Sequence, residues 1–219
     1  MQVNDALFPI GGYTHSYGLE TYIQKGKVTN GQEAEAYIRQ NLKTNFLYTE
    51  LLAVSLAYDA AAQNELDKLI ELDELLTVSK VAMELRMASH KLGARFIKMV
   101  EALNTQDVMP ILSEYKKESE KVHHAVAYGC FVGALGIDKT LALSFFSYSA
   151  TSNMVTNCVK TIPLSQTVGQ QILYGVHPLL QEIVQQCLEL TIEDLGRSTP
   201  GLDIAAMQHE VLYSRLYMS

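Results

Sequence analysis

The chain has 219 residues, with 17 Lys and Arg against 24 Asp and Glu, a formal net charge of −7 with its six histidines neutral. That length predicts one domain, and surface scaling gives about 10,000 Å² folded against about 35,000 Å² unfolded, so roughly 70% of the surface can be hidden without disulfides. With 48% hydrophobic and 19% charged residues the chain is neither disordered nor membrane-like, and five arginines on an acidic background offer no basic face for nucleic acid.

The opening Leu7-Phe8-Pro9-Ile10-Gly11-Gly12-Tyr13-Thr14-His15-Ser16 departs from a plain helix. Pro9 ends any helix before it, Gly11-Gly12 lets the backbone approach a neighbour, and Thr14 or Ser16 can cap a helix carrying Leu19, Tyr22 and Ile23. Tyr13, His15 and Tyr17 gather at that helix start, either as a staple to the core or as an aromatic contact surface. From Gly31 to Gly93 neither Gly nor Pro intervenes, which permits long helices.

Apolar residues recur at helical spacing in four stretches. These are Leu47 to Tyr58, Leu85 to Leu103, Phe145 to Ile162 (through Tyr148, Val155 and Val159), and Ile172 to Leu190. Turn formers break the chain at Gly26 to Gly31, Asn104 to Pro110, Glu118 to Lys121, Gly136 to Asp138, Pro163 and Gly196 to Gly201. Gly129-x-x-x-Gly133 puts two glycines on one helical face, so that helix is expected to be central, with another backbone against it. No strand pair is convincing. The expectation is all-α, a single-domain helical bundle of about eight to ten helices over 1–195, followed by a linker and an amphipathic C-terminal docking tail over 196–219. Asp203 can cap the tail's run Ile204 to Met218, and so apolar a terminus must dock on its own bundle or on a partner.

Several chemistries are tested by spacing. Gly26-Lys27 is the only Gly-Lys pair and lacks the rest of a P-loop, and Thr14-His15-Ser16-Tyr17-Gly18 lacks the first glycine and the preceding strand of a nucleophile elbow. Glu120-x-x-His123 is the single match to a di-metal bundle motif, and His123-His124 point about 100° apart on a helix, a poor chelate. His90 and His177 read as surface or structural histidines. Cys130, Cys158 and Cys187 are an odd number without C-x-x-C and read as reduced, buried thiols in a cytoplasmic protein. The apolar stretch Ala125 to Ile137 is too short for a membrane span.

The block Leu7 to Glu20 resembles the N-terminal signature of the UreF family of urease accessory proteins. Further blocks agree in order: Glu84-Leu85-Arg86 through Gly93-Ala94-Arg95, then His124 to Gly129 with Leu135-Gly136-Ile137, then Ser152-Asn153 through Ile162-Pro163-Leu164-Ser165-Gln166. The ending Asp203 to Leu216 is the most specific. Ser165 and Val168 stand where many relatives have Gly and Asp, and relatives often carry residues before the first block, which here starts close to Met1.

The resemblance implies an all-helical, non-enzymatic homodimer without a cofactor or metal of its own. It implies binding of UreD (UreH in some systems) and recruitment of the GTPase UreG, so that Ni²⁺ reaches apo-urease. On the same basis Tyr13, His15, Glu20, Tyr148, Lys160 and Gln166 are expected to form a UreG face. Met207, His209, Glu210, Tyr213, Arg215 and Leu216 are expected to form a UreD/UreH face on the tail. Two alternatives accompany this reading: regulation of GTP hydrolysis by UreG, and a metallochaperone holding Ni²⁺ through His123, His124 or His209.

Overall fold

The computed structural model describes residues 2–5, 7–12, 15–103, 109–197 and 199–217. Among these, helices follow one another without a strand: α1 Leu19–Gln24, α2 Gly31–Asn41, α3 Leu52–Ala62, α4 Leu66–Ser79, α5 Met83–Ala102, α6 Pro110–Glu118, α7 His124–Ala134, α8 Lys139–Thr161, α9 Gln166–Gly175, α10 His177–Glu189 and α11 Pro200–His209. A π-helical run, Leu42–Leu51, joins α2 to α3 without a break, so the glycine-free stretch does begin with one long helix. It then stops twice. Asn64 takes a left-handed φ of 58° and ends α3, a role Asn fills because its short polar side chain tolerates that region. Extended backbone at Ala82 separates α4 from α5.

The expected breaks fall where helices end, and beyond the two stops at Asn64 and Ala82 a third unexpected break appears. Ile172 to Leu190 splits at Val176 into α9 and α10, with Pro178 in the first turn of the second helix, where its missing N–H has no intrahelical partner to lose. Ile172, Val176, Leu179, Ile183 and Cys187 are buried all the same. On α8 the buried face differs from the expected stripe: it runs through Leu143, Phe146, Ser147 and Thr151 to Val155 and Cys158, leaving Tyr148 46% exposed. Phe146 has the better partners, stacking on Phe46 at 5.9 Å and meeting Tyr128 at 4.9 Å.

The core forms around α7, buried from Ala125 to Gly133 and packed between α3 and α5. The two glycines explain how. A Cβ on Gly129 would lie 2.5 Å from the Val54 carbonyl oxygen, and one on Gly133 would lie 2.5 Å from that of Tyr58, so α3 and α7 touch backbone to backbone. The expected central helix is therefore present, and the missing side chains set its distance from α3.

A buried polar network crosses one end of this core. Asp73 on α4 accepts from the Tyr115 hydroxyl at 2.6 Å, the Ser119 hydroxyl at 2.6 Å and the His123 amide at 2.8 Å. Burial pushes its carboxyl up to about 6, against the pull of those three donors. His123 sits fully buried between Thr77 at 3.0 Å and Ser89 at 2.8 Å, its ring 4.2 Å from that of His90, and burial pushes it down to about 2. His124 turns elsewhere, against Phe96 and Phe146, and burial lowers it to about 4. Both histidines thus serve packing. The three cysteines are free and buried, their thiols pushed up to about 12 by burial. Among the described residues no helix is long and apolar enough to cross a membrane.

Candidate partner-docking site

The C-terminal segment packs on its own bundle. Pro200 and Gly201, expected in a linker, form the first turn of α11, because proline's fixed φ suits a helix start. The helix ends at His209 rather than running to Met218, and turns carry the chain to Tyr217. Its inner face is small: Ala205 and Ala206 are buried against α1, where the Thr21 hydroxyl donates to the Ala205 carbonyl at 2.7 Å. Gly18, at φ 85°, lets this approach happen, since a Cβ there would lie 3.2 Å from the Ala206 nitrogen.

A carboxylate cluster then fastens the tail. His209 is fully buried and lies between two carboxylates, Nε2 2.9 Å from Glu20 Oε2 and Nδ1 2.8 Å from Glu84 Oε2. Arg215 donates to Glu84 Oε1 at 2.6 Å. The amides of Leu216 and Tyr217 donate to Glu20 at 2.8 Å and 3.1 Å. Nearby, the Gln24 amide donates to the Ser214 carbonyl at 2.8 Å, Lys25 meets Gln208, and Glu210 accepts from the Met83 amide at 3.1 Å. Two acidic side chains, one on α1 and one on α5, thus supply acceptors that the tail saturates. Charged groups leave water only where such partners exist.

This arrangement redistributes the expected site residues. Glu20 is buried beside His209 instead of standing on a separate face, and His15 is 95% hidden, its carbonyl accepting from Asn157 at 2.7 Å while burial lowers the ring to about 4. Neither side chain stands out as an exposed contact. Tyr148, Lys160 and Gln166 are exposed but spread out: Tyr148 faces His177 at 6.0 Å, and Lys160 and Gln166 flank the Pro163 bend. Twelve residues of helix set Tyr148 and Lys160 about 18 Å apart and on different sides. Tyr13 lies outside the described residues.

On the tail, His209 is a buried fastener, Glu210 and Arg215 are partly engaged, and Met207, Tyr213 and Leu216 point outward. Glu84 belongs to the Glu84-Leu85-Arg86 block and stands in the first turn of α5, and nothing local in the sequence marks it as the partner of an arginine 131 residues away.

Glu20, Glu84, His209, Arg215 and Leu216 of this cluster all fall in blocks that carry the resemblance. A family model for UreF matches residues 28–177. The chain belongs to the UreF family. The urease accessory protein UreF of Actinobacillus pleuropneumoniae serotype 5b (strain L20) is 41% identical over 219 residues, covering 98% of this chain and 95% of its own length. That of Haemophilus influenzae (strain ATCC 51907 / DSM 11121 / KW20 / Rd) is 39% identical over 216 residues, covering 98% and 92%. That of Bacillus sp. (strain TB-90) is 38% identical over 222 residues, covering 100% and 96%. The alignments with these UreF proteins extend beyond residues 28–177 and take in α1 and α11, the two elements that the buried cluster joins.

Proposed function

We propose that this chain is a homodimeric, non-enzymatic scaffold of the cytoplasmic urease-maturation assembly. It binds UreD/UreH through its C-terminal segment and recruits the GTPase UreG on another surface, so that Ni²⁺ is delivered into apo-urease. One observation carries the reading: the buried cluster holds the tail in place while its outer side chains stay in water. Val211 is 82% exposed and Leu216 74%, with Tyr213 fully exposed beside them in sequence. Met83, whose amide reaches Glu210 of the tail, and Met87, one turn further along α5, are about half exposed. Apolar side chains held outward by a buried polar fastening favour a protein surface as their cover. A preordered tail also lowers the entropy lost on docking. For UreG, the exposed candidates are Tyr148, Lys160 and Gln166, with Tyr13 nearby in sequence to the opening turn.

The test leaves the fastening intact. Val211→Ser with Leu216→Ser changes exposed side chains only, and is expected to abolish co-purification with UreD/UreH while the unfolding midpoint stays put. Undiminished co-purification would remove the tail from the site. Tyr148→Ala and Lys160→Ala are expected to weaken UreG capture by the preformed complex, and unchanged capture would remove them.

A further inference from the structure

One surface pocket has a character the acidic chain does not otherwise show. Lys91, Arg95 and Lys98 stand at i, i+4 and i+7 on one face of α5, spanning about 10 Å. With Ile10, Gly11, His15, Leu92 and Ala94 they line a pocket of about 380 Å³, and no carboxylate is among the lining residues. That volume falls within the range of small-molecule sites.

Most other cations of the described residues have acidic partners: Arg39, Lys43, Lys68, Lys80, Lys116, Lys117, Lys139, Arg197 and Arg215 all do. None of these ion pairs includes Lys91, Arg95 or Lys98. Like charges at i and i+4 weaken a helix by about 0.2 to 0.5 kcal/mol, so the fold gains nothing from the cluster.

The opening segment forms the other wall. Arg95 donates to the Ile10 carbonyl at 3.5 Å, and a Cβ on Gly11 would lie 3.0 Å from the Arg95 Nη1, so the glycine lets the guanidinium sit close against the backbone. The guanidinium carries five N–H donors in a planar fork, and the bond to Ile10 uses one of them at the outer limit of hydrogen-bond distance. The ring of His15 at the pocket's edge is lowered chiefly by burial, then by the charge of Lys91, with Glu84 pulling the other way.

We propose that this pocket binds a small condensed-phosphate anion, with the Arg95 fork on one phosphoryl group and Lys91 and Lys98 balancing the rest. A planar fork matches two oxygens of one phosphoryl group, and flexible ammonium groups on either side accommodate a second. The concave apolar floor of Leu92 and Ala94 suits a compact ligand rather than an extended acidic peptide. The site is separate from the tail and does not depend on the reading of its partners.

Calorimetric titration of the full chain with inorganic pyrophosphate tests this, at low and at moderate salt. One pyrophosphate per chain is expected, bound at least tenfold more tightly than inorganic phosphate. Lys91→Ala with Lys98→Ala should weaken it at least tenfold, and Arg95→Lys, which keeps the charge but not the fork, should weaken it severalfold. Lys116→Ala with Lys117→Ala should leave it unchanged. An ADP arm separates sources: tighter ADP binding assigns the site to a nucleotide diphosphate, and equal binding to the free anion. Absence of heat with pyrophosphate, equal loss in the Lys116/Lys117 variant, or tighter binding of a hexaglutamate peptide would overturn the proposal. All substituted side chains are exposed, and an unchanged unfolding midpoint confirms that each variant is folded.

Discussion

Glu20 and His209 stand 189 residues apart in the chain and 2.9 Å apart in space, both almost fully buried. Glu20 also receives the amides of Leu216 and Tyr217, so a single carboxylate on a six-residue helix anchors both the end of α11 and the turns beyond it. Two surfaces expected to act separately, the opening helix and the tail, are therefore one mechanical unit.

Removing the Glu20 carboxylate leaves the buried His209 ring nitrogen and the amides of Leu216 and Tyr217 without their acceptor, and an unsatisfied buried polar group costs about 1 to 3 kcal/mol. Glu20→Ala is thus expected to lower unfolding stability by about 3 kcal/mol. It should also remove the hydrogen-exchange protection of the Leu216 and Tyr217 amides before the α7 core loses any. Native-state exchange that shows those two amides equally protected in the variant would contradict the anchoring role.

The backbone contact between α3 and α7 makes a second expectation. Gly129→Ala and Gly133→Ala each push a methyl group into a carbonyl, with the Ala57 Cβ a further 2.8 Å neighbour of the first, and each is expected to cost about 3 kcal/mol in denaturant unfolding, the upper end of the overpacking range. Gly136→Ala meets nothing within 4 Å, but its φ of 62° strains any side chain by about 1 to 2 kcal/mol. The two core glycines should therefore be clearly more sensitive than the third.

Stability should fall on mild acidification. His15, His123 and His124 are lowered from 6.5 to about 4, about 2 and about 4, chiefly by burial. The unfolded chain therefore takes up protons below pH 6.5 that the folded chain refuses. Their contribution is complete above pH 6.5 and declines by about 1.4 kcal/mol per pH unit for each histidine as pH falls. Asp73 works the other way: its folded value of about 6 lies above the ordinary 3.8, so its protonation favours the fold as pH drops from 6. Two histidines' worth of loss remains, about 3 kcal/mol per pH unit near pH 5. The urea midpoint should decline steadily from pH 6.5 to 4.5, and a flat profile would contradict the burial of these rings.

The thiols of Cys130, Cys158 and Cys187 are buried and raised to about 12, so almost no thiolate exists at pH 8. Ellman's reagent should titrate none of them in the native protein within an hour and three after denaturation. Prompt native reaction would mean that a helix around one of them opens readily.

Much of the architecture was legible along the chain because it is local chemistry. The glycine-free stretch, the prolines at helix starts and the apolar periodicity mark where helices run, and Gly129 with Gly133 marks the central one, since a missing Cβ has the same consequence in any helix. What escaped was orientation and long-range pairing. Periodicity could not choose between Phe145 with Tyr148 and Phe146 on α8, because Phe46 and Tyr128, which decide it, come from other elements. Nor did any local signal join Glu20 and Glu84 to His209 and Arg215. An acidic side chain on an amphipathic helix reads as solvent-facing until the tertiary structure brings donors to it, and only then can its charge leave water. The helices and their family signature were written in the sequence. The folding of the tail onto α1 and α5, which buries some expected contact residues and presents others, was decided by packing.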